Sequence, residues 1–284
     1  MSTAFLSLRD AMARHVRDGM SVALEGFTHL IPFAAGHELI RQRRRGLDLV
    51  RLTPDLIYDQ MIGMGCATSV SFSWGGNPGV GSLHRLRDAI EHGWPHPLAI
   101  DEHSHAGMAA RFTAGASGLP FGMLKGYAGS DLLEANAARI AAVTCPFTGE
   151  ELTALPALRP DVTVLHAQQA DREGNVLLRG IVGVSREAAA AATTLVVTVE
   201  EVVDELDASM NAFVIPAWQV AAVAEVPGGA YPSYALGYYQ RDNAFYQEWD
   251  AIARDRSRFT EWMERHVLGT ADHAACLRSL GVAG

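Results

Sequence analysis

Residues 21–50 read SVALEGFTHLIPFAAGHELIRQRRRGLDLV, and this stretch decides the fold class. Ser21 to Leu24 is a short apolar run of strand type, stopped by the glycine-bearing loop Glu25 to Pro32. Ala34 to Arg44 returns to helical spacing, and Leu47 to Leu52 is a second strand. The alternation continues on both sides. Upstream, Ser7 to Asp18 places Leu6, Ala11, Met12, His15 and Val16 near one helical face, and Gly19 stops it. Downstream come a helix over Asp55 to Met64, a strand over Ser69 to Phe72, a helix over Leu83 to His92 and a strand over Leu98 to Asp101. Strands and helices exchanged at short intervals predict an α/β fold, with an open, mostly parallel sheet flanked by helices.

The second half keeps the pattern. Val162 to Ala167 is an apolar strand, Asp171 to Asn175 a turn, and Val176 to Leu178 a returning strand. Arg186 to Ala192 is Ala-rich and helical, and Thr194 to Val199 is a β-branched strand. A helical region over about 243–270 carries Phe245, Trp249, Ile252, Phe259, Trp262 and Val267, an aromatic stripe expected in a core or interface. No linker, charge block or repeat interrupts the chain, so one domain over residues 1–284 is expected.

Composition narrows the function. Of 284 residues, 49% are hydrophobic and 19% charged, which excludes a mainly disordered chain. Lys and Arg number 23 and Asp and Glu 32, so the net charge is 23 − 32 = −9, a poor balance for general nucleic-acid binding. An anionic ligand can still be held by local backbone dipoles. Cys66, Cys145 and Cys276 show no CxxC spacing, and an odd count suits a reducing compartment. The N-terminal stretch is broken by charges and is no signal peptide, and no run approaches the ~18 apolar residues of a membrane span. A soluble, cytoplasmic protein is the expectation.

Chemistry is expected where loops leave the carboxyl ends of parallel strands. Three segments fall there: Glu25–Pro32, Ser73–Ser82 and Asp101–His105. In SWGGNPGVGS, four glycines allow several N–H groups to point one way, toward a phosphate or a developing oxyanion. No Gly-Lys-Ser/Thr follows and no GxGxxG is present, so it is neither a Walker loop nor a dinucleotide fingerprint. A plain glycine-rich turn is the alternative. Asp101-Glu102-His103-Ser104-His105 can be a metal site, a nucleophile with a base, or a helix start; on a strand the two histidines would share a face, but no further ligand is spaced for a metal, and none is expected. Ser104 lacks a GxSxG elbow. Glu102 can serve as nucleophile or base if desolvated; otherwise it is a strand-end residue held by hydrogen bonds. Glu200 and Glu201, after the last strong strand, are expected to be solvated or turn-forming. The arginines Arg41, Arg43, Arg44 and Arg45 are expected to complement a helix dipole.

These residues carry a resemblance. Val22 to Phe27, with Thr28 to Pro32, is similar to the N-terminal signature of family I CoA-transferases. Ser71–Ser82 resembles the A-subunit loop of the glutaconate-type branch, as do Glu102–His105 and Ala114–Phe121. Asp171–Asn175, Pro227–Gly229 and Gly237–Tyr239 complete a pattern running from about Leu8 to Gly269.

The resemblance implies the CoA-transferase family I fold and a ping-pong reaction through a glutamyl-CoA thioester. It implies succinyl-CoA as donor and 3-oxoadipate as acceptor, in the breakdown of aromatic compounds. CoA thioesters would be substrates, with no permanently bound cofactor. In two-subunit members the nucleophilic glutamate lies on the B (beta) chain, so a B partner, in an A2B2 assembly, is expected. This chain's share of the site would be Gly26, Phe27, Ser73, Gly75, Gly76, Asn77, Gly79, Gly81, Ser82, His103 and His105, with Glu102 a candidate for chemistry. His29, His103, His105 or an arginine would meet the acceptor's distal carboxylate. Other readings that the resemblance leaves open are transfer to glutaconate or another dicarboxylate, and an acyl-CoA or ring-opening hydrolase using Glu102.

Overall fold

The computed structural model describes residues 3–77, 79–127, 129–136, 138–207 and 211–282; Pro78 of the glycine-rich loop lies outside the described residues. In chain order the strands are β1 (Ala4–Phe5), β2 (Ser21–Glu25), β3 (Leu47–Val50), β4 (Ala67–Phe72), β5 (Ala99–Glu102), β6 (Phe121–Leu124), β7 (Ala141–Thr144), β8 (Glu151–Pro156), β9 (Val162–Asp171), β10 (Val176–Arg179), β11 (Thr194–Val203), β12 (Ala212–Ile215) and β13 (Ala222–Glu225). The α-helices are α1 (Leu8–His15), α2 (Phe33–Arg41), α3 (Leu56–Gly63), α4 (His84–His92), α5 (His105–Ala116), α6 (Asp131–Ala135), α7 (Ser185–Ala191), α8 (Asn243–Ala253), α9 (Arg256–Met263) and α10 (His273–Ser279).

Eight strands run parallel in the order β1-β13-β11-β9-β2-β3-β4-β5. β10 and β12 extend β9 antiparallel. From β2 the chain steps outward through β3 and β4 to β5. From β9 it steps the other way, through β11 to β13. The order reverses between β2 and β9, and the crevice above such a reversal is the usual ligand position in an open parallel sheet.

The predicted elements stand within a few residues of their places, and local chemistry says why. Ser7 caps α1 by accepting from the Asp10 N–H, and Asp55 caps α3 through the Ile57 N–H. Gly93, at φ 65°, closes α4. The sheet is buried on both faces, so β2 alternates its side chains between two cores. Val22 and Leu24 join α2, α3, α8 and α9, where Trp249 and Phe259 are fully buried. Ala23 faces Met108 and Phe112 of α5 and Ala188 of α7. The aromatic stripe is core: Trp249 meets Trp262 edge-on at 4.9 Å and Phe259 at 5.8 Å. The long C-terminal helical pattern is broken, because Asp255 caps a new helix by accepting from the Arg258 N–H.

Two features differ from expectation. Between α5 and β9 the chain builds a separate antiparallel sheet, β6-β8-β7, which the sequence pattern did not signal. β6 and β7 are short and largely exposed, and in β8 the buried residues Ala154 and Leu155 are consecutive, so the strands lack the apolar alternation of a half-buried strand. Glu200 is not solvated: it lies within β11, buried, paired to His166 at 2.6 Å. Arg41 stands in the last turn of α2, as the dipole reading has it, and its guanidinium also donates to the Val267 and Thr270 carbonyls, tying α2 to the C-terminal helices. No helix among the described residues is long and apolar enough to cross a membrane.

Candidate functional site

Since β2, β3, β4 and β5 are parallel neighbours, their carboxyl-end loops share one rim. The Gly26 loop comes first, then Arg51–Thr53, then Ser73–Ser82, then Glu102–His105. Cross-bonds stitch them. The Ser73 N–H and hydroxyl donate to the Leu52 carbonyl at 3.1 and 2.5 Å, the Gly76 N–H to Pro54 at 3.0 Å, and the His103 N–H to Phe72 at 2.8 Å.

The first loop is strained and tightly folded. Thr28 and Leu30 have φ of 59° and 52°, a costly region for residues with side chains, and such strain concentrates at functional sites. A Cβ on Gly26 would stand 2.7 Å from the Leu30 carbonyl oxygen and 2.9 Å from that of His29. Phe27 is half-buried against the Ala23–Val50–Met108 core. His29, a candidate for the acceptor's carboxylate, is fully buried and committed. Its Nε2 accepts from the Leu236 N–H at 3.0 Å, and its Nδ1 donates to the Ile181 carbonyl at 3.1 Å. Burial lowers its pKa, in keeping with a neutral ring that pins two further loops to the Gly26 loop.

Beneath this loop lies an ionic cluster that sequence reasoning missed. Arg51 is fully buried; it donates to Asp55 at 2.9 Å and to the Gly26 carbonyl at 2.6 Å. Glu25 Oε2 accepts from the Leu52 N–H at 3.2 Å, while its Oε1 has no partner among the described residues. Burial raises Glu25 to a pKa of about 7 despite the attraction of Arg51. A carboxyl raised on folding holds its proton in the native state while the unfolded chain has lost it. Its contribution to stability is complete below the ordinary value of 4.5 and is lost as pH rises through about 7. Buried Asp59, also raised to about 7, acts in the same sense. Glu25→Gln should therefore lose less stability than the parent chain between pH 5 and pH 8, measured as the shift in urea midpoint; an unchanged shift would refute the assignment.

The second loop leans on the C-terminal helices. Asp250 of α8 accepts from the Ser82 N–H at 3.2 Å and pairs with His84 at 2.8 Å. Gly79 and Gly81 are exposed at the loop's crest, Ser73, Gly75 and Ser82 are half-buried, and Gly76 and Asn77 are buried. Both polar atoms of the Asn77 carboxamide lack a partner among the described residues, so this loop holds an uncommitted donor and acceptor.

At the far end Glu102 is exposed, on the sheet's edge strand. Its neighbours are locked. Asp101 accepts from Ser71 at 3.0 Å, His103 at 2.9 Å, Arg111 at 2.8 Å and Arg139 at 2.8 Å. Burial would raise its pKa, but the hydrogen bond from His103 and the charges of Arg111 and Arg139 hold it far below the carboxylate range. His103, 1% exposed, has its other ring nitrogen 3.1 Å from the Tyr127 hydroxyl, so both nitrogens are engaged within the protein and it is framework beneath the rim. His105 is exposed at the start of α5. Among the described residues no three His, Cys, Asp or Glu side chains converge as metal ligands. Arg51 and Asp101 had a faint signal in the sequence, a charge inside or ending an apolar strand; Tyr127 and Asp250 come from distant segments and had none.

The comparisons agree with this geometry. A coenzyme A transferase family model matches residues 91–226. The A chain of the 3-oxoadipate CoA-transferase of Pseudomonas knackmussii is 64% identical over 267 residues, covering 94% of each chain. The A chain of the glutaconate CoA-transferase of Acidaminococcus fermentans is 30% identical over 295 residues, covering 97% of this chain and 91% of that one. The crystal structure of glutaconate coenzyme A-transferase from the same bacterium superposes with a TM-score of 0.90 at 29% identity, covering 98% of this chain and 93% of the other. With a parallel sheet, a shared rim and these likenesses, the chain belongs to the coenzyme A transferase family and is one of its enzymes.

Proposed function

We propose that this chain is the A (alpha) half of a hetero-oligomeric transferase that moves CoA from succinyl-CoA to 3-oxoadipate, with the nucleophilic glutamate on a B (beta) partner in an A2B2 assembly. The observation that carries the two-chain reading is the openness of the rim. Glu102 is exposed, and Ile100 of the same strand and Trp74 of the loop after the neighbouring strand are 45% and 44% exposed. A carboxylate attacks a thioester effectively only in a dry site with fixed donors, and a second chain laid on the β5 edge would supply that enclosure. The acyl assignment rests on the substrate named for the relative at 64% identity.

The partner's glutamate attacks the succinyl-CoA carbonyl and expels CoA thiolate, leaving a mixed anhydride. The thiolate then attacks the glutamyl carbonyl, releasing succinate and forming the enzyme thioester. The 3-oxoadipate carboxylate attacks that thioester, and the expelled thiolate attacks the new acyl carbonyl, freeing the glutamate and 3-oxoadipyl-CoA. On this side of the site, the Gly26 and Ser73–Ser82 loops would face the oxyanion and the CoA arm. Glu102 would orient the thioester for attack.

The test is co-expression with a B-type partner, followed by assay with succinyl-CoA and 3-oxoadipate. 3-Oxoadipyl-CoA should form only when both chains and the acceptor are present. CoA release without acceptor would replace this reading with the hydrolase. Product from glutaconate but not from 3-oxoadipate would move the substrate to another dicarboxylate.

A further inference from the structure

We propose that Tyr127 is a positioning residue that sets the direction of Glu102 through His103 and Asp101. This rests on the reading of Glu102 as the group this chain contributes to the shared site.

Three observations carry it. First, Tyr127 is a bulky side chain held at φ 69° and buried to 7% exposure, a conformation that persists only where the surroundings impose it. Second, room has been made for its hydroxyl: a Cβ on Gly107, in the first turn of α5, would lie 2.0 Å from that oxygen. Third, the hydroxyl closes a chain of bonds around Glu102. It accepts from the Ser104 N–H at 3.0 Å and donates to His103 Nδ1 at 3.1 Å. His103 Nε2 donates to Asp101 at 2.9 Å, and Asp101 is gripped by Ser71, Arg111 and Arg139. The Asn136 carboxamide adds a bond to the Glu102 carbonyl at 2.7 Å.

On a strand, residues 101 and 103 point away from the face that carries residue 102. Locking both of them, and the backbone N–H that follows, leaves Glu102 free only about its own side-chain torsions. Tyr127, Asn136 and Arg139 all come from the segment that builds the small antiparallel sheet. That segment is therefore pinned directly behind the exposed carboxylate. An orientation held this closely bears on the reacting geometry and not on CoA affinity, because the hydrogen bonds of Tyr127 among the described residues go to His103, Ser104 and Ser130 and to neither the Gly26 loop nor the Ser73–Ser82 loop.

The experiment is a double-mutant cycle on the partnered enzyme with Y127F, E102Q and the double variant, and with G107A as a second way to displace the hydroxyl. Y127F should lower kcat by about tenfold with KM for the acyl-CoA within twofold, G107A should do likewise, and Y127F should cost nothing further in the E102Q background. Equal fractional losses in both backgrounds, or a loss expressed in KM, would make Tyr127 merely structural and overturn the proposal. Full activity of Y127F and G107A beside an impaired E102Q would also overturn it, leaving the role of Glu102 intact. Full activity of E102Q would instead remove the reading of Glu102 and the proposal with it.

Discussion

Arg51→Leu should lower the unfolding free energy by about 3–5 kcal/mol, the usual range when one partner of a buried ion pair is removed. Native domains hold only about 5–15 kcal/mol in all, so the variant should lie near its folding threshold. Arg51 has no access to water, and its guanidinium is hydrogen-bonded to the buried Asp55 carboxylate. Taking it away strips Asp55 of its largest stabilising charge and Glu25 of its nearest attraction. The Gly26 carbonyl also loses a 2.6 Å donor. Arg51→Lys should recover only part of the loss, since an ammonium cannot fork to both acceptors in the guanidinium's geometry. Urea unfolding of the three chains at neutral pH measures this; a Leu variant within about 1 kcal/mol of the parent would show that the cluster is dispensable.

The second large effect concerns activity. Gly26→Ala should reduce the transferase rate of the partnered enzyme by about a hundredfold, the scale of a displacement near 1 Å at a reacting centre. The added methyl would meet backbone, the Leu30 and His29 carbonyl oxygens and Ile31 Cα at 3.0 Å, and backbone cannot swing aside as a flexible side chain does. Thr28 and Leu30 already hold the strained region, so the loop has little freedom to open. Stability should fall by only about 1–3 kcal/mol, as for other overpacked sites. Steady-state rates and a melting curve on the same preparation separate the two effects. A variant with parental kcat would remove the Gly26 loop from the site.

Much of this was legible in the chain, and the reasons are physical. The run from Ser21 to Val50 shows its strand–helix–strand nature because apolar spacing is a local property. The three loops declared themselves as a rim because parallel strands put all their carboxyl ends on one side. What could not be read was anything built by long-range meeting. Glu25 looked like the first residue of a loop; the fold makes it the last residue of β2, with Arg51 beneath it. His29 and His103 looked like free imidazoles in loops that suit a ligand; their second partners, Leu236 and Tyr127, lie far along the chain. The strands of the small sheet show no alternation of buried and exposed residues, so periodicity is silent about them.

The stays of the rim have a temporal consequence. Every loop of the site is made within the first 105 residues, yet the groups that brace those loops arrive late. The Tyr234 and Leu236 backbone holds the Gly26 loop, Asp250 holds Ser82, and the turn at Val267–Thr270 holds Arg41 of α2. A ribosome therefore delivers the binding surface well before its buttresses. During that interval the nascent chain must carry an unsupported, glycine-rich edge, with Arg41 still lacking its Val267 and Thr270 acceptors, a state exposed to misassociation. The segment from Tyr234 to Thr270 acts as a latch on synthesis, so the loops of the site gain their braces only once the chain has been made past residue 270.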